Sequence, residues 1–308
     1  MPRKPTAPQP QRPATALQVV DHHWLLKMLA TLLGASMVCA YITLCLLFYQ
    51  GQWQFALHPL VAATAATPTT QLPYQDVRFD YTETGAPQLH GWWIPALSTH
   101  SRYANVTVLY LHGGEGPFAA ALPRLQQLHD LGLNIFAFDY RGFGLSAGPH
   151  PSEQRMREDA EAAWTYLAQA NKSPATEVIV YGEGVGAALA LELLAEHPRV
   201  PVALFEDPVF DLIAQVRRDP RAALVPVGLL FHQRFEIAAP LRSLTVPKLL
   251  FLNDSAHAPT AQQLASIAGP KFLVHLGSLS PQAADAARSQ SLSRFLDEYL
   301  PAHTLLPQ

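Results

Sequence analysis

The stretch IVYGEGVGAALALELL, residues 179–194, decides the fold. Its opening Ile, Val and Tyr suit a buried strand, and its Ala- and Leu-rich close suits a helix. Gly182, Gly184 and Gly186 alternate between the two halves, so the chain turns sharply from a strand over 178–181 into a helix over 185–196. Outward from this turn the same two patterns alternate. Strands are expected at 76–81, 89–94, 106–111, 134–138, 203–205, 248–252 and 271–276, and helices at 153–170, 260–267 and 281–299. The first two strands read as a lead-in hairpin turning at 84–87. Such alternation predicts an α/β fold, a mostly parallel sheet with helices on both faces. Ligands of these sheets bind beyond the carboxyl ends of the strands, so the residues just after each strand are the informative ones. Segment 209–240 breaks the alternation. Its run LVPVGLLF, residues 224–231, reads as a cap over the pocket, a flap touching a membrane or a buried helix.

Residues 28–49, MLATLLGASMVCAYITLCLLFY, carry no charge. At about 1.5 Å per residue they span the roughly 30 Å hydrocarbon core of a bilayer, so 25–50 is expected as one transmembrane helix. Arg3, Lys4, Arg12 and Lys27 precede it against Asp21 alone, and no Lys or Arg follows until Arg78. That asymmetry puts the N-terminus in the cytoplasm and the main domain outside it, in the periplasm or another extracytoplasmic space. A cleaved signal peptide is the rival reading, but its apolar region usually runs about 7–15 residues, which favours an uncleaved signal anchor here. Residues 1–24, rich in Pro and polar side chains, read as a disordered cytoplasmic tail. A linker is expected over 51–73, the folded domain over 74–302 with a cap-like insertion at about 209–240, and a tail over 303–308.

A net charge of -3 supplies no basic field for nucleic acid. Both cysteines, Cys39 and Cys45, lie in the apolar stretch and read as packing residues, leaving the rest of the chain without a disulfide framework or a Cys-based zinc site. His112, Glu115 and His257 have the right types for metal ligands but no tight helical spacing such as H-E-x-x-H. Neither metal nor cofactor is expected.

Several ordered motifs carry a resemblance. LHGWWIPA (89–96) looks like a second strand and its exit, VLYLHGG (108–114) like a third strand with an oxyanion loop, and FAFDYRGFGLSAGPHPSE (136–153) like the loop and helix entry after a fourth strand. With the turn at 182–186 they resemble the α/β-hydrolases, in particular the membrane-anchored group related to serine aminopeptidases and α/β-hydrolase-domain depalmitoylases. The resemblance runs from roughly residue 53 to 300. It implies an α/β-hydrolase fold and a Ser-acid-His triad, with the serine at the centre of a G-x-S-x-G elbow.

Here the elbow reads Gly182-Glu183-Gly184-Val185-Gly186, so Gly184 stands at the nucleophile position. Ser255 falls at the acid position in FLNDSAHAPT (251–260), with Asp254 one residue early. Ser280 or Pro281 falls at the histidine position in LGSLSPQA (276–283), while His275 belongs to the strand and His303 to the tail. Nucleophile and base are useless without each other, so their joint loss points to loss of serine-hydrolase chemistry. The resemblance implies a vacated pocket and oxyanion loop built from His112, Gly113, Gly114, Glu115, Glu183 and Val185. A carboxylate at Glu115 opposes the oxyanion that relatives stabilise. Glu115 and Glu183 read either as a cation or amine site or as two solvated loop glutamates. Asp139 and Arg141 read as fixing the loop after strand 134–138, whose turns Gly142, Gly144 and Gly148 serve without forming a phosphate-binding loop.

Two functions follow from different classes. The preferred one is non-catalytic, a membrane-anchored domain that binds a small ligand or a membrane protein. The alternative is hydrolysis of an ester, thioester or amide by a site rebuilt around Asp207, His257 and Ser146.

Overall fold

The structure, a computed structural model, describes residues 21–59, 72–80, 88–169, 172–253, 258–300 and 302–306. The chain divides into two compact units, Met1–Leu47 and Phe48–Gln308. The first is dominated by α1 (His22–Gly51), which is apolar around its whole circumference and continues into the second unit for its last turn. It is long and apolar enough to cross a membrane, and its side chains up to Tyr41 are exposed. A helix without a polar face has no aqueous side to present, which is the composition a bilayer favours.

The second unit is built on one eight-stranded sheet: β1 (Gln75–Phe79), β2 (Leu89–Ile94), β3 (Thr107–Leu111), β4 (Asn134–Asp139), β5 (Val178–Glu183), β6 (Ala203–Glu206), β7 (Lys248–Leu252) and β8 (Lys271–His275). The spatial order is β1-β2-β4-β3-β5-β6-β7-β8, with β2 antiparallel to both neighbours and the other pairs parallel. In the centre Leu111 of β3 lies opposite Gly182 of β5, so the two strands end side by side. Every residue of β3 is buried, because helices cover both faces of a parallel sheet. The fold is thus the mostly parallel, two-sided α/β sheet expected from the alternation, in the α/β-hydrolase arrangement that the resemblance implies. The hairpin turn expected at 84–87 lies outside the described residues.

The crossovers are α2 (Leu122–Asp130), α3 (Glu153–Gln169) and α4 (Gly186–Glu196). Helix α2 is not among the helices expected from the sequence. Its apolar signal is only Leu122, Leu125 and Leu128 at every third position, and Leu125 and Leu128 are the pair it buries in the core. Between β6 and β7 the chain makes α5 (Leu212–Arg218), a 3-10 turn (Pro220–Ala222), α6 (Val227–Leu230) and α7 (Ala238–Ser243). A buried helix over 224–231 does not form. Val225, Val227 and Phe231 turn inward while Leu224 and Leu229 face out, and helix covers a single turn after Pro226. Helices α8 (Ala261–Ser266) and α9 (Pro281–Tyr299) complete the layer.

Two features differ from a plain succession of strands and helices. Residues within the expected linker are folded: Gln52–Phe55 is a 3-10 helix, Ala56 and Leu57 are buried, and His58 bridges to Glu115. Glu206, buried at the end of β6, accepts from Arg124 Nε at 2.6 Å and Nη2 at 2.7 Å, from Arg288 Nη2 at 3.0 Å and from the Tyr181 hydroxyl. One carboxylate therefore joins α2 and α9 to the sheet, and the two guanidiniums supply the charge that permits its burial.

Candidate functional site

The turn from β5 into α4 builds the centre of the site. Strand β5 runs through Glu183, Gly184 takes φ +54°, and α4 begins at Gly186. The Gly184 N–H donates to the Glu206 carbonyl at 2.9 Å, which ties the turn to the neighbouring strand. A Cβ at Gly186 would lie 2.3 Å from the Leu111 carbonyl oxygen and 2.6 Å from that of His112. A Cβ at Gly182 would lie 2.6 Å from the Ala187 Cα. Close approach of helix to strand therefore requires glycine at both flanking positions. At Gly184 the situation is different, since an added Cβ would meet only the Gly113 Cα, at an ordinary 3.5 Å. The left-handed backbone there costs an L residue roughly 1–2 kcal/mol, a strain that many functional turns carry. The turn thus has room at residue 184 for a side chain that glycine does not supply.

A cleft of about 420 Å3 opens beside this turn. All six residues expected to form the pocket and oxyanion loop, His112, Gly113, Gly114, Glu115, Glu183 and Val185, border it, and Asp207 joins them from the end of β6. Leu212 and Gln215 of α5 and Ala56 before β1 also line it. These last three could not be found from the hydrolase motifs, because their approach to the cleft is made by segments far from the elbow in sequence. Ala56 is held by the pairing of His58 across the oxyanion loop: the His58 N–H donates to Gly114 O at 2.6 Å and the Gly116 N–H to His58 O at 3.0 Å.

The charged groups of the cleft are acidic. Glu183 is half-buried and accepts the Tyr110 hydroxyl at 2.6 Å. Burial pushes its carboxyl pKa up, against the downward pull of that hydrogen bond. It is not a solvated loop glutamate. Glu115 does remain exposed, with Oε1 3.1 Å from His58 Nδ1. Asp207 has φ +43° and accepts from the Asn253 N–H at 2.7 Å and from its side-chain amide. Among the described lining residues there is no Lys or Arg to offset these carboxylates.

His112 is buried against Tyr140 and Phe143, with ring centroids 4.5 and 5.1 Å away. Burial lowers its pKa to about 4, although nearby Asp139 pulls it upward. An imidazole held neutral to that pH is a weak base, whereas general-base catalysis favours a pKa near the working pH. Ser146 does not reach the cleft lining. Its Oγ donates to the Asp139 carbonyl and accepts from the His90 N–H at 2.9 Å, a structural position that corrects its candidacy for a rebuilt site. Asp139 accepts from the Phe118 N–H at 2.8 Å, and Arg141 Nε pairs with Asp159 Oδ1 at 2.6 Å. Both fix the loop after β4.

At the expected base position Ser280 is the N-cap of α9, its Oγ accepting from the Ala283 N–H at 3.3 Å, and Pro281 is the first helical residue. A cap followed by proline starts a helix. His275, at the end of β8, is exposed and does not line the cleft. Asp254, Ser255 and His257 lie outside the described residues. One group with metal-ligand atoms close together occurs among the described residues, Glu161, Glu196 and His197, and none of the three borders the cleft.

The glycine geometry yields a direct test. Gly184→Ser should fold with a stability loss of roughly 1–2 kcal/mol, from its left-handed backbone alone. Gly186→Ala should reach or exceed the top of the roughly 1–3 kcal/mol range usual for overpacking, because its contacts are backbone carbonyls. Urea denaturation of the two variants measures both. The reverse order would show that the elbow is not packed as described.

Residues 103–266 match the family described as serine aminopeptidase, S33. Uncharacterized protein YfhR of Escherichia coli is 25% identical over 242 residues, covering 74% of this chain and 84% of that one. Protein bem46 of Schizosaccharomyces pombe is 31% identical over 140 residues, 45% of each chain. Among solved structures, the esterase Pf2001 of Pyrococcus furiosus superposes with a TM-score of 0.62 at 19% identity, over 80% of this chain and 99% of that one, a likeness of fold alone. With the sheet order, the elbow and the cleft in place, these matches make the chain a member of the serine aminopeptidase S33 family of α/β-hydrolases.

Proposed function

We propose that this protein is a single-pass, membrane-anchored α/β-hydrolase domain that has given up acyl transfer and uses its cleft or surface to bind a small ligand or a membrane protein. The observation that carries the reading is an elbow with room for a side chain at residue 184 and glycine in that place. Covalent acyl transfer by this route needs a hydroxyl or thiol there. Three further features support it. The β8–α9 connection starts a helix at Ser280 and Pro281, where relatives with a triad need histidine. No Ser, Thr or Cys occurs among the described residues lining the cleft. Its carboxylates would repel the negative charge that develops on the carbonyl oxygen in ester or amide hydrolysis. The same charges disfavour an anionic ligand and leave neutral or cationic ones admissible.

The competing reading, an active hydrolase of esters, thioesters or amides by a serine route, now requires Ser255 or His257 to enter the cleft, since Ser146 is committed elsewhere and Asp207 offers a carboxylate but no hydroxyl. Turnover of short-chain nitrophenyl esters separates the two readings. The unmodified protein should give no rate above buffer. Gly184→Ser should give little more, because loss of the base alone costs a triad enzyme about 10⁶-fold in kcat. Turnover by the unmodified protein that disappears in Ser255→Ala or His257→Ala would overturn the proposal.

The anchoring part of the proposal rests on α1 and on the basic residues that precede it. We place the N-terminus in the cytoplasm and the hydrolase domain outside it. A reporter fused after Gln308 that works only outside the cytoplasm should be active, and activity of a cytoplasm-only reporter at the same position would reverse the orientation.

A further inference from the structure

The segment between α5 and α7 carries features that the cleft does not use. Leu224 and Leu229 are 75% and 73% exposed, the two most exposed large apolar side chains among the described residues. They share residues 212–234 with Arg217, Arg218, Arg221 and Arg234, and Arg221 is paired with the one acidic residue, Asp219, Nη2 to Oδ2 at 2.6 Å. A shallow groove of about 430 Å3 runs between Arg217 and Leu229 past Pro226. Apolar side chains standing out among cations are the composition of a surface that meets both acyl chains and phosphates.

The place of this segment within the globular unit says which surface it meets. The last turn of α1 and the 3-10 helix after it touch both ends of this segment, at Arg221 and His232. The Tyr49 ring stands edge-on to His232 with centroids 5.4 Å apart, and Gln52 Oε1 accepts from the His232 N–H at 2.6 Å. The Arg221 guanidinium lies 4.7 Å above the Phe55 ring. Tyr49 and Trp53, at these contacts, are of the residue types that gather at the membrane–water boundary.

We infer that residues 217–230 form a membrane-contacting face, with Leu224 and Leu229 entering the acyl boundary and Arg217 meeting the phosphates of anionic phospholipids. The inference rests on the reading of α1 as a membrane anchor and adds a second point of attachment. Helix α5 carries Arg217 at one end and lines the cleft with Leu212 and Gln215, so the lipid surface and the cleft share one short helix.

The test uses the whole 308-residue chain with Cys39→Ala and Cys45→Ala, reconstituted in nanodiscs of phosphatidylcholine and phosphatidylglycerol. Leu224→Cys, Leu229→Cys and, as a control on the exposed side of α9, Gln290→Cys are each labelled with an environment-sensitive nitrobenzoxadiazole dye. Dye at 224 and 229 should emit at shorter wavelength and lose intensity when nitroxide-labelled lipid is included, and dye at 290 should do neither. Arg217→Glu should weaken the effect at 229 in anionic discs. Flotation with vesicles after alkaline carbonate treatment reads the anchor separately. A chain that fails to float removes the anchor and the inference with it. A chain that floats while dye at 224 and 229 stays in water overturns the membrane face alone. So does dye that is shielded in native membranes but not in pure lipid, which would assign the face to a protein partner.

Discussion

Helix α4 sits so close to β3 that residue 186 can carry no side chain, and the rest of the site depends on that approach. The 2.3 Å separation between a would-be Cβ and the Leu111 carbonyl oxygen leaves no freedom at this position. It forces β5 to end in a sharp turn, drives Gly184 into its left-handed conformation and brings the turn against the loop after β3. The cleft is the space that remains. None of this needs a hydroxyl at residue 184, and a glycine there relieves strain that any other residue would carry. An elbow can thus outlast its nucleophile because its shape is set by packing.

The position at which the resemblance expects a base also has a physical role. In the connection after β8 the chain uses Ser280 and Pro281 to begin α9, and Leu292, Phe295 and Leu296 of that helix are buried in the core. Helix capping and a catalytic imidazole compete for the same few residues, and here capping occupies them. His112 does not replace the imidazole, since burial against two aromatic rings keeps it neutral down to about pH 4. Glu183 and Asp207, each held by a hydrogen bond at the strand ends, turn the electrostatics of the cleft away from an oxyanion.

Local patterns were legible in the sequence wherever a segment speaks for itself. The sharp strand-to-helix turn, β2 through β8, α3, α4 and α9 all follow from short-range periodicity and glycine spacing, while the six residues that line the cleft from the loop after β3 and from the turn come from the family resemblance of the motifs around them. Helix α2 was not legible, because nine residues with Pro123 near the start and three leucines give too weak a period to outweigh a loop. Interactions distant along the chain were also hidden. Glu206 and Arg124 are 82 residues apart, and His58 meets Glu115 across 57. The folding of 52–58 onto the oxyanion loop was masked by its neighbourhood, a Thr-, Ala- and Pro-rich stretch that reads as linker. The run 224–231 was ambiguous for a different reason. Its hydrophobicity is real, but Pro226 and Gly228 break it into inward and outward side chains that composition alone cannot separate.

The central claim is that the cleft no longer holds an activated nucleophile. Intact-mass spectrometry of the whole chain after incubation with excess fluorophosphonate tests it without any assumption about substrate. The account predicts the unmodified mass. A single stable adduct that maps by peptide sequencing to a residue bordering the cleft would contradict it.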